Sequence, residues 1–368
     1  MQNLYIVATG QHVGKTTVSL GLIHVLTKRG LKVHFFKPVG QEYVEKDGIK
    51  IDKDAVLVQS ALLPKGSLAE ISPVTVPKGF VEDYIFHRNV EPLKKCILEA
   101  YARLCPDCDL IVIEGTGHAG VGSCFDLSNA DVAALLRARV ILVVEGGIGS
   151  ALDEVALSMG LFRENSVDVA GIIVNKVWPE KIDRIHKSVG QGLANMGLKL
   201  LGVMPYDPTL TFPEVDQVAK AVSAKVLSGE ALLNTHIENV LIAAMAPQNV
   251  LPRIKPNSLM ITPGDRIDNI LLALNCGTPR GVTNASIVAI ILTGGLLPDP
   301  VIQTLMKDSG MPVLLCEEDT YAVSSKVQRT VFKMLPNEVF KIQRAERLVE
   351  DNVDIEEILR QVSGDSST

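Results

Sequence analysis

Residues 4–17 read L-Y-I-V-A-T-G-Q-H-V-G-K-T-T, and this stretch decides how the first half of the chain folds. The apolar run Leu4–Val7 has the make-up of a short buried strand, and a helical pattern begins at Lys15. A strand, a glycine-bearing loop and a helix start bring backbone N–H groups, the Lys15 ammonium and the helix dipole to one point, where a polyphosphate would sit. The Thr16 hydroxyl is placed to reach a magnesium ion. The loop departs from G-x-x-x-x-G-K-[ST], because Thr9 stands in the first glycine position and Gly10 follows it. The alternative is an ordinary strand-to-helix turn. The residues that would surround the phosphates are Gly10, Gln11, His12, Val13, Gly14, Lys15, Thr16 and Thr17.

At 368 residues the chain has room for two or three domains with real cores. It is 47% hydrophobic and 4% aromatic, so those cores are aliphatic. Lys+Arg 36 against Asp+Glu 42 leaves a net charge of −6 without a basic cluster, which argues against a nucleic-acid partner. The first residues lack the basic region of an export signal. The longest uncharged stretch, Gly281–Pro298, is broken by polar residues and glycines and reads as loop, strand and turn, so no membrane partner is expected. Free cysteines then point to the cytoplasm. Cys105-Pro-Asp-Cys108 follows a helical pattern, the wrong end of a helix for an activated thiol, and no second pair completes a zinc site. It reads as structural.

Strand-like runs at 3–7, 33–37, 109–113, 140–144, 169–174 and 199–203 alternate with helical patterns at 15–29, 53–62, 90–104, 130–137, 151–164 and 181–196. Gly30 suits a residue just past a helix end, and Asn89 an N-cap. Such alternation requires crossovers and a parallel sheet covered on both faces. Residues 63–88 break the rhythm as an insertion that either covers a site or runs over the surface. Past residue 213 a helical pattern at 216–227 precedes strands at 240–245, 259–262, 286–292 and 313–316, with helices at 267–275, 300–309 and onward to 360. The expected fold class is therefore α/β: a parallel-sheet nucleotide-binding domain over 1–213, then a second, smaller α/β domain over 214–362 and a flexible tail at 363–368.

In open α/β sheets ligands bind beyond the carboxyl ends of the strands. After the second, third and fifth strands come Lys37, Glu114 and Asn175. A carboxylate ending a buried strand is costly unless it meets a cation, so Glu114 is the best candidate for a magnesium ligand beside Thr16. Asp54 is a second acid, competing with a plain role at a helix start. Lys37 either aims its ammonium at phosphoryl oxygens or snorkels to solvent. Asn175 either reads an adenine edge or makes a turn. His118, in a glycine-flanked loop, either exchanges protons or packs.

These residues carry a resemblance to dethiobiotin synthetase and related amidoligase-type P-loop proteins. The matching pieces are 9–17, F-K-P-V-G (36–40), D-x-D-A (52–55), V-I-E-G-T-G (112–117), G-I-I-V-N-K (171–176) and L-G-V-M-P (201–205), in the family's order over about 1–210. The resemblance implies ATP and Mg²⁺ as cofactors. It implies that Lys15 and Lys37 act on the phosphoryl groups, that Thr16, Asp54 and Glu114 hold magnesium, that Asn175 touches adenine, and that the protein is a homodimer. The second half resembles the DRTGG domain through Gly264-Asp265-Arg266 and Thr293-Gly294-Gly295. Arg266 offers a planar donor fork and the glycines let backbone approach a ligand, so Asp265, Arg266, Thr293, Gly294 and Gly295 form an expected second ligand site. The alternative there is a salt bridge and a tight turn. The two modules in this order resemble the N-terminal and middle parts of long bacterial phosphate acetyltransferases.

The substrate side departs from dethiobiotin synthetase. Gly40-Gln41 and Ser150-Ala151-Leu152 stand where that family carries polar substrate groups, and E-G-T-G-H replaces E-G-A-G-G. Dethiobiotin synthesis is not expected. The sequence also stops where the acetyltransferase domain of the longer proteins would start, so phosphotransacetylase activity is not expected either. The expected function is Mg-ATP binding with a regulatory or metabolite-sensing role for a small-molecule ligand. The alternative is an ATP-dependent ligase that activates a small carboxylate as an acyl phosphate or mixed anhydride.

Overall fold

Six of the apolar runs become one sheet in the computed structural model, which describes residues 2–46, 48–62, 67–276 and 285–363. The strands are β1 (Gln2–Ala8), β2 (Val33–Phe36), β3 (Leu110–Glu114), β4 (Arg139–Glu145), β5 (Val169–Val177) and β6 (Leu200–Pro205). Their order is β6-β5-β4-β1-β3-β2, and every neighbouring pair is parallel. The aliphatic composition explains this: Leu4–Ala8 and all of β3 are buried on both faces, as a helix-covered parallel strand must be. Helices α1 (Lys15–Lys28), α2 (Lys53–Leu62), α3 (Glu91–Leu104), α4 (Asn129–Leu135), α5 (Gly149–Glu164) and α6 (Ile182–Asn195) make the crossovers. The Asn89 side chain accepts from the Glu91 N–H at 3.3 Å, although the N-cap position of α3 falls to Val90.

Strand β1 lies between β3 and β4, so the connections diverge from its carboxyl end. That switch point opens a crevice where the Gly10–Thr17 loop sits. A hairpin, Tyr43–Lys46 against Ile49–Asp52, follows β2 and delivers Asp52 and Asp54 to the same end. Of the 63–88 insertion, 63–66 lie outside the described residues. Val74–Thr75 pairs with Val39–Gly40, and Phe80 and Tyr84 pack on Phe125.

The chain divides into two units, Met1–Asp207 with Met334–Thr368, and Pro208–Lys333. The boundary expected from sequence assigned the residues after 333 to the second domain. Instead α11 (Val339–Asn352) and α12 (Ile355–Ser363) pack in the first. Gly21 on α1 makes the room: a Cβ there would lie 2.3 Å from Val349 Cγ2 on α11. Lys28 pairs with Glu350 at 2.6 Å, and the Asp354 N–H donates to Leu201 O on the edge strand β6 at 2.7 Å. Gly21→Val will overfill this contact and destabilise the first unit by about 1–3 kcal/mol, read from urea denaturation. An unchanged midpoint would show that the helix does not dock there.

The second unit contains β7 (Lys225–Ser228), β8 (Asn239–Ile242), β9 (Ser258–Pro263), β10 (Ile287–Thr293) and β11 (Val313–Leu315) in the order β7-β11-β10-β9-β8. Only β7 runs antiparallel to its neighbour. α7 (Val215–Ala221) and α10 (Thr320–Arg329) cover one face through Val218, Val323 and Ile261. α8 (Ile267–Cys276) and α9 (Pro300–Asp308) cover the other through Ile270, Met306 and Met260. The helical pattern read over 216–227 is shorter in the structure. It stops at Ala221, Ser223 turns at φ 52°, and the remainder becomes β7. Residues 281–284 of the uncharged stretch, and all of the expected tail except Ser363, lie outside the described residues. Among the described residues no helix is long and apolar enough to cross a membrane.

Candidate functional site

Gly14 caps α1 at φ 112°, a conformation glycine adopts without strain. A Cβ there would also lie 2.1 Å from Asn175 Nδ2, so a second requirement for glycine comes from a strand remote in sequence. Asn175 ends buried in β5, where its Nδ2 donates to Val13 O at 2.8 Å and its Oδ1 accepts the Lys176 N–H at 2.8 Å. The carboxamide expected to read adenine thus holds the loop backbone in this structure. Lys176 Nζ fastens the same loop through His12 O at 2.6 Å, and Lys15 Nζ bends back to Gly10 O at 3.3 Å. Thr9 Oγ1, at the off-pattern position, donates to Glu154 on α5 at 2.6 Å.

Beneath the loop lies a buried charge cluster. Lys37 Nζ donates to Asp54 Oδ2 at 3.1 Å, Glu114 Oε1 at 3.0 Å and Gly115 O at 3.1 Å. Thr16 Oγ1 donates to the same Glu114 oxygen at 3.1 Å. Lys37 is 2% exposed and Glu114 0%, so the snorkelling alternative for Lys37 does not hold. Burial alone would lower the Lys37 pKa. Glu114, Asp54 and Asp52 outweigh it and hold the ammonium above the ordinary lysine range. Glu114 Oε2 has no hydrogen-bond partner among the described residues. An orphaned carboxylate oxygen beside a hydroxyl and a second carboxylate is an oxygen donor set that suits magnesium.

Sequence reading missed the residues that hold this cluster in place. Asp52 accepts the Asp54 N–H at 2.9 Å and sets the start of α2. Asn129 binds the loop after β3: its Oδ1 accepts from Thr116 N–H at 3.1 Å and Tyr5 OH at 3.0 Å, and its Nδ2 donates to Thr116 O and His118 O. Gly115 leaves space for it, since a Cβ would lie 2.5 Å from Asn129 Oδ1. The Ser128–Asp131 capping box marks the helix start in the sequence. Nothing local shows that Asn129 faces the Glu114 loop. His118 Nδ1 accepts the Gly120 N–H at 3.2 Å, a bond within its own loop.

The groups expected to form a second ligand site are engaged with their own unit. The Arg266 fork donates to Ala244 O, Met245 O and both oxygens of Asp268 at 2.8–2.9 Å. Gly294 and Gly295, at φ 81° and 66°, give their N–H groups to Glu318 O and Cys316 O. Thr293 Oγ1 bonds Thr320 Oγ1 at 2.7 Å, and Asp265 is exposed. In this structure these residues make a strand-end turn and a salt bridge. Arg266→Ala will free the Ala244–Met245 backbone, giving roughly tenfold faster amide exchange at 243–246. Unchanged exchange there would refute this role.

The parallel order, the loop after the central strand and the acids at the neighbouring strand ends define a P-loop NTPase-like domain followed by a smaller α/β domain. The chain belongs to the AAA domain family AAA_26, which matches residues 2–214, and residues 217–330 match the DRTGG domain. It is similar to the phosphate acetyltransferase of Synechocystis sp., 26% identical over 97% of this chain and 51% of that protein. It is also similar to the phosphate acetyltransferase of Pseudomonas putida, 30% identical over 89% of this chain and 47% of that one. The chain thus spans about half the length of the curated relatives it matches. Among solved structures it is similar to the MinC:MinD cell division protein complex of Aquifex aeolicus. That match has 16% identity and a TM-score of 0.38, and covers 57% of this chain and 84% of that one.

Proposed function

We propose that the first unit binds Mg-ATP and that the chain serves a regulatory, metabolite-sensing role. The carrying observation is the Lys37–Asp54–Glu114–Thr16 cluster under a glycine-capped loop, with Glu114 Oε2 left unpartnered. Thr16, Asp54 and Glu114 would hold the metal, which would neutralise charge on the phosphate oxygens. Asn175, Lys176 and Asn129 hold the loops in this structure, and Asn175 would also meet the adenine. The sensing role draws on the DRTGG match, with Asp265, Arg266, Thr293, Gly294 and Gly295 as the residues that would meet its ligand. A homodimer belongs to the same proposal, read by light scattering.

Calorimetric titration with ATP tests it. Binding that depends on magnesium, weakened at least ~10-fold by Lys15→Ala with little change in melting temperature, is expected, since that side chain is a charge-assisted donor to phosphate. No ATP binding by the wild type would overturn the proposal. ADP release at ordinary enzyme rates only when a small carboxylate or amine is added would replace sensing by the ligase reading.

A further inference from the structure

Resting on the Mg-ATP reading above, we infer that Lys37 is a built-in counter-ion for the magnesium ligands, exchanged for the metal only when a nucleotide phosphate arrives to receive its ammonium. All three ammonium hydrogens are committed in this structure, to Asp54 Oδ2, Glu114 Oε1 and Gly115 O. Two of those acceptors belong to the carboxylates that, with Thr16, make up the metal's donor set. Two buried carboxylates at one place need a cation, and Lys37 supplies it.

A divalent ion held by Thr16, Asp54 and Glu114 would lie beside the ammonium even if it took the unpartnered Glu114 Oε2, and like charges in a buried site repel strongly. The ammonium then gives up its bonds to the two acids, and a buried ammonium short of anionic partners is itself costly. Its stem starts from the end of β2, beside the carboxyl end of β3 and near the phosphate loop, so a bound phosphate is the anion within the same crevice. Metal alone competes with Lys37 for Asp54 and Glu114 and brings no anion in return. Metal with nucleotide brings phosphate oxygens that would receive the ammonium. The two ligands therefore assist each other, and by linkage the assistance is equal in both directions. Lys37 suppresses futile loading of the site by free divalent ions.

Manganese, followed by the paramagnetic signal of the unbound ion, is the probe. Wild-type protein should take up one Mn²⁺ per chain in the presence of ADP and bind it at least ~10-fold more weakly without ADP. Lys37→Met should bind Mn²⁺ without nucleotide at least ~10-fold more tightly than wild type, and Mn²⁺ should raise its melting temperature. Equal Mn²⁺ affinity of the two proteins without nucleotide overturns the inference while leaving Mg-ATP binding intact. Failure of wild type to bind ADP with or without Mn²⁺ instead overturns the functional reading. A measurement on wild type alone covers a variant that does not fold. In ¹⁵N-lysine-labelled protein, a protected ammonium resonance should persist with Mg²⁺ alone and shift with Mg²⁺ and ADP together. A resonance that ignores both additions, or moves with Mg²⁺ alone, refutes the exchange.

Discussion

Lys37→Met destabilises the first unit by about 3–5 kcal/mol in metal-free solution, because removing one partner of a buried ion pair leaves uncompensated charge. Here the loss is felt by two acids at once. Glu114 is fully buried and Asp54 nearly so, and the sheet leaves little solvent to screen them. Gly115 O and one oxygen on each acid lose a donor. Urea denaturation followed by circular dichroism checks the size. Adding Glu114→Gln to Lys37→Met should return part of the loss, since one buried charge fewer then goes unpaired. An equal or larger loss in the double variant would show that packing, not charge, governs the site. The pH dependence has a definite sign. The Lys37 pKa is raised on folding, so its contribution is fully present below the ordinary lysine range and is lost only as pH rises through the raised value. Lys37 itself therefore brings no loss of stability between neutral and moderately acid pH.

Gly14→Ala abolishes high-affinity nucleotide binding, with at least ~100-fold weaker affinity, and costs about 1–3 kcal/mol of stability from backbone strain. Two effects coincide at this position. Its φ of 112° is strained for any residue with a Cβ, and the new methyl would sit 2.1 Å from Asn175 Nδ2. Either the loop shifts or Asn175 withdraws, and withdrawal breaks its bond to Val13 O. Adding Asn175→Ala removes the clash but not the φ requirement, so the double variant should recover stability more than affinity. Calorimetry on both variants decides. Wild-type affinity in Gly14→Ala would show that the loop does not grip the nucleotide through its backbone.

Much of this arrangement was legible in the chain alone. The strand runs at 3–7, 109–113 and 140–144 became β1, β3 and β4 with small changes at their ends, and α2 occupies the 53–62 expected for it. Aliphatic runs of strand length, punctuated by helical periods, admit few other solutions. The loop, Lys37, Asp54 and Glu114 were also readable, because a switch-point crevice collects the residues just past each strand's carboxyl end. Two elements escaped for local reasons. The hairpin carrying Asp52 has weak apolar alternation, and β7 reads as a continuation of a helical pattern.

The parallel sheet, the phosphate loop and the charged residues at the strand ends are all readable from the order of residues in the chain. These follow from periodicity and from residue types whose chemistry is fixed. Which groups bond to one another depends on how the elements pack. Asn175 clamps the loop because β5 ends next to it, and Asn129 holds the Glu114 loop because α4 starts beneath Gly115. Arg266 bonds the Ala244–Met245 carbonyls, α11 returns to α1, and α12 lies against β1, β5 and β6. A hydrogen bond between residues more than a hundred positions apart depends on which elements become neighbours, and no local pattern encodes that. The same holds for the Lys37 cluster. Its residue types were visible in the chain, but that one ammonium satisfies both carboxylates depends on packing at the crevice floor.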